Sequence, residues 1–161
     1  MKAFEIDTRL GAMLLADRED GLAGLWFLDQ RHFPPGAKNW RRERTPAIRD
    51  AEEQLNDYLA GQRHNFDLRL APLGTPFQQA VWRRLQAIPF GQRQSYGEIA
   101  ASLGKPKAGR AVGAAVGRNP WSIIVPCHRV VGSQGQMTGY AGGLERKKQL
   151  LALEQAGAPR E

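Results

Sequence analysis

The chain has 161 residues, of which 42% are hydrophobic and 24% are charged. This length allows one ordinary domain or two small ones, and the composition is typical of a globular protein, which excludes disordered, collagen-like and coiled-coil chains. The formal net charge of +7 points to a polyanionic partner, although many soluble proteins carry such a charge without one.

The chain has one cysteine, Cys127, so it cannot form an internal disulfide. This cysteine and the three scattered histidines fall short of the usual zinc ligand set, so we expect no metal, and we expect no cofactor either. No apolar run reaches the roughly 18 to 20 residues of a membrane span, and the N-terminus lacks the apolar core of a signal peptide. We therefore predict a soluble, cytoplasmic protein with no membrane partner.

The first half of the chain reads as a small α+β unit. Strand-like apolar runs occupy residues 3–6, 12–16 and 24–28. Thr45 and Pro46 then begin a helix, in the preferred order of cap and first-turn proline, and Gly61 ends it. An alternating apolar pattern over residues 66–70 predicts one more half-buried strand. Nothing in this half carries a chemical signature, and we predict that residues 1–73 form a structural domain.

The positive charge is confined to the second half. Residues 1–73 have a net charge of −1, whereas residues 74–161 have a net charge of +8. Residues 99–144 contain no Asp or Glu at all. A stretch of one sign suits a surface that faces phosphates, because an acidic side chain there would repel them.

The second half opens with helices. Thr75, Pro76 and Gln78 form a capping-box pattern ahead of an ordinary core helix. A short helix over residues 96–104 is broken by Lys105 and Pro106, and a second helix follows over residues 107–117. This spacing is typical of a helix-turn-helix, although the spacing alone is a weak signal.

The second of these helices has an unusual composition. It contains three glycines, each of which costs roughly 1 kcal/mol relative to alanine in a helix. One explanation is tight packing between helices. The other is that a smooth helix brings its backbone close to a nucleic acid, with Arg110 as the one long side chain that projects from it.

The cysteine follows a short apolar run. Residues 122–125 predict a buried strand, which Pro126 ends directly before Cys127. A cysteine at such a place is often an inert small hydrophobe. Here His128 and Arg129 follow it in a segment without acids, and both cations would favour the reactive thiolate.

The run from Pro126 to Val131 (PCHRVV) resembles the active-site signature of the O(6)-alkylguanine-DNA alkyltransferases, the methylated-DNA protein cysteine methyltransferases. The resemblance extends over roughly residues 74–156 and, less specifically, over the first half. It implies an α+β fold in which a small N-terminal α/β roll packs on a mostly helical C-terminal domain, residues 74–161, with a helix-turn-helix. It also implies direct-reversal repair, a stoichiometric, suicide transfer of the alkyl group from O6-alkylguanine, and from O4-alkylthymine, to Cys127.

The resemblance assigns roles in the transfer itself. His128 is implied as the base that takes the thiol proton through a water, and Glu154 as the group that orients the imidazole. Asn119 is implied to hold the turn before the cysteine segment. The extruded base is implied to contact five residues, Tyr96, Val130, Tyr140, Ala141 and Gly142.

The resemblance also places the second helix in the minor groove of double-stranded DNA. This groove is only about 6 Å wide, so the helix face that enters it must lack bulky side chains. Since a base inside a duplex is unreachable, the alkylated nucleotide must be flipped out. Tyr96 would help to rotate it, and Arg110 would fill the vacated stack. The implied DNA-binding residues are Ser95, Tyr96, Lys107, Ala108, Arg110, Gly113 and Arg118.

This sequence departs from some relatives. Ala141 stands where some have a hydroxyl, which puts the ranking of larger alkyl groups in doubt. The first half lacks the zinc ligands of some eukaryotic members, and no cysteine-rich segment precedes residue 1, so we expect the single-function form, acting as a monomer without an obligatory protein partner. Two alternatives stay open: a non-catalytic reader of alkylated DNA or helix-turn-helix regulator, and a cysteine hydrolase that uses Cys127, His128 and Glu154.

Overall fold

The structure is a computed structural model that describes residues 1–157. These residues divide into two compact units, one formed by residues 1–73 and 120–124 and the other by residues 74–119 and 125–157. The last four residues of the predicted second domain lie outside the described residues. Among residues 1–157, no helix is both long enough and apolar enough to cross a membrane.

The first unit is built on a four-stranded sheet. Its strands are β1 (Lys2–Thr8), β2 (Gly11–Arg18), β3 (Gly21–Phe27) and β4 (Arg41–Arg42), and they lie in the order β3-β2-β1-β4. The first three strands pair antiparallel, and β4 pairs parallel with β1. Helix α1 (Pro46–Leu59) contacts β1, β2 and β3. Its cap is Thr45, whose hydroxyl accepts from the amide of Ile48 at 3.2 Å.

One glycine of the sheet is required by close packing. The ring of Trp26 lies over Gly24, where a Cβ would stand 2.0 Å from the Trp26 Cη2 atom. Around this ring lie small buried residues of the sheet, including Ala3 and Ala16. Small side chains on the strands therefore make room for one large aromatic ring.

The strand predicted over residues 66–70 is wrong. Leu70 makes a single bridge to Leu22, and the flanking bonds join Leu22 N to Arg69 O and Ala71 N to Leu22 O, both at 2.8 Å. A polar and apolar alternation describes any extended segment with one buried face, whether or not it pairs along its length.

Residues 120–124 belong to the first unit, although the predicted boundary at Leu73 places them in the second. The amide of Leu25 donates to Pro120 O at 2.8 Å, and the indole of Trp121 donates to Leu22 O at 2.8 Å. The amide of Ser122 donates to Leu25 O at 3.0 Å. These bonds attach the segment to β3, which is the edge of the sheet.

The second unit is mostly helical, so the predicted α+β fold class is confirmed. Its helices are α2 (Pro76–Gln86), α3 (Tyr96–Ser102), α4 (Gly109–Gly117) and α5 (Leu144–Gly157). Two short strands, β5 (Gln94–Ser95) and β6 (Val130–Val131), pair parallel. Capping boxes begin α2 at Thr75 and α3 at Ser95, and α4 packs against both of these helices.

Candidate alkyl-acceptor site

Two tight turns, rather than a strand, lead to the cysteine. The amide of Ile124 donates to Ser122 O at 2.8 Å across Ile123, whose φ is 71°. The amide of Cys127 donates to Val125 O at 2.7 Å across Pro126. Both are three-residue γ-turns, and the first is the rarer, strained form with positive φ. The predicted strand over residues 122–125 is therefore wrong, because a β-branched apolar run is also compatible with a buried turn.

Cys127 begins a short 3-10 helix, Cys127–Arg129, and is 6% exposed. Burial raises the pKa of its thiol, while the side chain of Asn119, the Lys147 ammonium and two main-chain amides act in the opposite direction. The expectation that His128 and Arg129 favour the thiolate as cations is wrong: burial lowers the pKa of His128, Glu154 pairs with the Arg129 guanidinium, and the cation that acts on Cys127 is Lys147. In the resting protein the thiol needs a base to ionise it.

His128 can act as a base, and Glu154 orients its imidazole through a hydrogen bond. The His128 Nε2 atom lies 2.8 Å from Glu154 Oε2, and both side chains are almost fully buried. Burial lowers the pKa of His128, so the imidazole is neutral at pH 7. Burial alone would raise the pKa of Glu154, but the hydrogen bonds that Glu154 makes with His128 and Arg129 lower it to about 2. An ionised Glu154 accepts a hydrogen from Nε2, which leaves the lone pair of the ring on Nδ1.

Arg129 closes this network on its other side. Its Nε donates to Glu154 Oε1 at 2.8 Å and its Nη2 to Oε2 at 2.8 Å, in the fork geometry that suits a carboxylate. Its Nη1 donates to Ile88 O at 2.7 Å, and its guanidinium lies 5.8 Å from the ring centroid of Phe90. The positive charge of Arg129 is thus matched by Glu154.

Lys147 is a site residue that the sequence reasoning missed. It lies on α5 with a fully buried side chain, and its ammonium donates to Val130 O at 2.5 Å and to Thr138 O at 2.9 Å. Desolvation lowers the pKa of Lys147 to about 8, although Cys127 acts in the opposite direction. A signal was present: Lys147, Leu150, Leu151 and Glu154 are spaced i, i+3, i+4, i+7, which places them on one helix face.

The structure brings the other predicted transfer residues to the same unit. Asn119 is buried and donates through Nδ2 to Val125 O at 2.9 Å, directly ahead of the cysteine. Tyr140 is 8% exposed, and Ala141 and Gly142 follow it in the loop that precedes α5. Val130, which is predicted to contact the base, accepts from the Lys147 ammonium with its main-chain oxygen.

The predicted DNA-binding residues surround α3 and α4. The exposed side chains are Lys107, Arg110 and Arg118, while Tyr96, Ala108 and Gly113 are partly buried. Ser95 is buried, and its hydroxyl accepts from the amide of Glu98 at 3.1 Å as the cap of α3. A contact between Ser95 and DNA, as predicted, would have to leave this capping hydrogen bond in place.

The glycines of α4 are not explained by tight packing. A Cβ at Gly109 or Gly117 would meet nothing within 4 Å among the described residues. At Gly113 it would lie 3.8 Å from the Tyr96 ring, an ordinary contact. The first explanation is therefore wrong, because no described neighbour of α4 requires a glycine at these positions.

The fold and this site define a class of protein. It is a small α+β chain with a buried cysteine next to a histidine, and the same unit contains two short helices with exposed basic side chains on or beside them. Two family models match, the ribonuclease-like domain of 6-O-methylguanine DNA methyltransferase over residues 4–72 and its DNA-binding domain over residues 76–156. The chain belongs to the 6-O-methylguanine DNA methyltransferase family.

Relatives match along nearly the whole chain. A methylated-DNA--protein-cysteine methyltransferase from Mycolicibacterium paratuberculosis is 48% identical, over 96% of this chain and 92% of the relative. One from Methanosarcina barkeri is 49% identical, over 93% of this chain and 94% of the relative. The crystal structure of Mycobacterium tuberculosis OGT in complex with DNA has a TM-score of 0.88 and 45% identity, covering 99% of this chain and 96% of that one.

Proposed function

We propose that this protein repairs alkylated guanine in DNA by direct reversal, with Cys127 as the acceptor of the alkyl group. The observation that carries the proposal is the placement of a buried cysteine beside a neutral, carboxylate-held histidine in the unit that also holds α3 and α4. Family membership supports the same activity.

The reaction begins with ionisation of the thiol. A bridging water passes the Cys127 proton to Nδ1 of His128, and Glu154 stabilises the imidazolium that results. Asn119, the main-chain amides and Lys147 all favour the thiolate once it forms. The buried site therefore keeps the thiol protonated at rest and stabilises its anion during the reaction.

The thiolate then attacks the alkyl carbon in one in-line step. The sulfur–carbon bond forms as the bond between that carbon and guanine O6 breaks, and its electron pair stays on the guanine. The guanine takes up one proton and the His128 imidazolium gives one up, so the thiol proton is accounted for. The product cysteine is a thioether, which has no ionisable hydrogen and cannot act as a nucleophile again. Each protein molecule therefore acts once, and O4-alkylthymine is a second substrate for the same chemistry.

The duplex is held at α3 and α4. Arg110, Ala111 and Ala114 are exposed on α4, and the exposed Arg118 directly follows the helix, so a smooth helix face has a cation near each end. Such a face lets the backbone approach a narrow groove while the cations contact phosphates. Tyr96 assists rotation of the nucleotide, and Arg110 fills the gap that it leaves.

The protein works as a monomer in the cytoplasm, without an obligatory protein partner. All of the proposed transfer residues come from one unit of one chain, so no second chain is needed to complete the site. The reaction also requires a reduced thiol, which a reducing compartment maintains.

The test is a mass measurement on the protein after incubation with a duplex oligonucleotide that carries O6-methylguanine. We expect one added methyl group per protein, located on the peptide that contains Cys127, and none on the Cys127→Ser variant. Lesion binding without methyl gain would identify a reader of alkylated DNA. Repeated turnover of an ester would instead identify a hydrolase.

A second experiment tests the DNA face. Arg110→Ala should slow transfer from the duplex more than transfer from free O6-benzylguanine, because the free base needs no flipping. Arg49→Ala, which removes an exposed arginine from α1, is the matched control. Equal losses on both substrates would show that Arg110 does not act on the duplex.

A further inference from the structure

The hydroxyl of Tyr96 already has a partner in this structure. The Oγ1 atom of Thr138 donates to the Tyr96 hydroxyl oxygen at 3.2 Å. Thr138 lies between β6 and α5, in the loop that also carries Tyr140. No sequence motif singled out Thr138.

Tyr96 is held at three points. It follows Ser95, which pairs with Val131 of β6, so its backbone is fixed close to the cysteine segment. Its ring lies beside Gly113 of α4, where a Cβ would stand 3.8 Å from two ring carbons. The third point is the hydroxyl bond from Thr138.

Thr138 is itself held from the opposite side. Its main-chain oxygen accepts from the Lys147 ammonium, which also donates to Val130 O. Lys147 lies on α5, the helix that carries Glu154. Thr138 therefore joins Tyr96 to the buried cation that acts on Cys127.

Two hydroxyls form this bond, so Tyr96 can accept from Thr138 with its oxygen and keep its own hydrogen for another acceptor. A phosphate oxygen accepts hydrogen bonds and cannot donate them at neutral pH, so a tyrosine in this state suits a phosphate.

We propose that Thr138 is a positioning residue for repair of duplex DNA, which orients the Tyr96 hydroxyl as a donor towards the phosphate backbone. This inference rests on the proposed function. Thr138 acts through Tyr96, so its loss affects the duplex reaction more than the reaction with a free base.

The test measures single-turnover rate constants for Thr138→Val, Thr138→Ser and Tyr96→Phe, and for the variant that combines Thr138→Val with Tyr96→Phe. The substrates are a duplex with O6-methylguanine and free O6-benzylguanine. We expect Thr138→Val to slow the duplex reaction about three- to tenfold, the size of one hydrogen bond, and to slow the free-base reaction less. Thr138→Ser keeps the hydroxyl and should restore the rate to within about twofold. Ser133→Ala, an exposed hydroxyl of the same loop, is the matched control.

The double variant separates positioning from a merely structural effect. In the Tyr96→Phe background, Thr138→Val should cause no additional loss, because the bond is already absent. An additional loss there, an equal loss on both substrates, a duplex rate unchanged by Thr138→Val, or no rescue by Thr138→Ser would overturn the inference. Absence of transfer by the unmodified protein from the duplex with O6-methylguanine would instead refute the proposed function.

Discussion

The two ends of the buried face of α5 carry opposite charges in different surroundings. Lys147 and Glu154 are seven residues apart, about 10 Å along the helix axis, and both side chains are buried. Glu154 pairs with His128 and with Arg129. Lys147 donates to two main-chain oxygens, and no carboxylate among residues 1–157 forms an ion pair with it.

The difference assigns separate tasks to the two ends. At the Glu154 end, the carboxylate and the guanidinium cancel, and the neutral imidazole is held in one tautomer. At the Lys147 end, one positive charge has no matching carboxylate and acts on Cys127. The Glu154 end therefore maintains structure and a base, and the Lys147 end supplies the charge that favours the thiolate.

The largest expected effect is on stability at the Glu154 end. Glu154→Gln should lower the free energy of unfolding by about 3 to 5 kcal/mol, because it leaves Arg129 buried without its carboxylate. Urea unfolding measures this loss. Glu145→Gln, at the exposed start of the same helix, is the control and should be nearly neutral. A small loss for Glu154→Gln would mean that this end is not a structural ion network.

The pH dependence of stability sharpens the same point. The pKa of Glu154 is lowered from 4.5 to about 2, so the unfolded chain binds a proton more readily than the folded one between these values. The stability from this carboxylate is thus present above about pH 4.5 and is lost as the pH falls towards 2, with a total on the order of 3 kcal/mol. When the free energy of unfolding is measured from pH 6 to pH 2, it should fall less steeply below about pH 4.5 for Glu154→Gln than for the unmodified protein. Parallel curves for the two proteins would contradict this assignment.

A smaller effect, on rate, is expected at the Lys147 end. Lys147→Met keeps the length and apolar stem of the side chain but removes the charge. We expect transfer at pH 7 to slow on the order of tenfold, the loss of about 1.4 kcal/mol of charge interaction. Its free energy of unfolding should change less than in Glu154→Gln, since replacing a buried charge by an apolar group is often tolerated. Lys148→Met, on the exposed face, should leave the rate constant at its original value.

The sequence predicted local structure well where a side chain satisfies a helix end. Thr45 and Thr75 cap α1 and α2 as their patterns indicate, because a cap depends on neighbours within three residues. The strand predicted over residues 122–125 is wrong, because Ile123 adopts a positive φ that β-branched residues normally avoid. Bonds to β3, distant in sequence, hold the preceding residues.

The site was predictable in its residues more than in its electrostatics. The PCHRVV motif identified Cys127 and His128, and the resemblance added Glu154. Arg129 was misread, because its pairing with Glu154 spans 25 residues of sequence and arises only in the folded unit. Lys147 was missed because it lies among charged neighbours that are exposed, and only its helical spacing distinguishes it.

The most direct measurement is the pH dependence of the single-turnover rate constant for transfer from the duplex, compared between the unmodified protein, Lys147→Met and Lys148→Met. Because the pKa of Lys147 is lowered to about 8, its ammonium is charged at pH 7 and loses its charge as the pH rises through this value. We predict that Lys147→Met is slower than the unmodified protein on the order of tenfold at pH 7, that the difference disappears above about pH 9, and that Lys148→Met matches the unmodified protein throughout. Equal rate constants for Lys147→Met and the unmodified protein at pH 7, or a difference that is the same at pH 7 and at about pH 9, would contradict the assignment of the thiolate-favouring charge to Lys147.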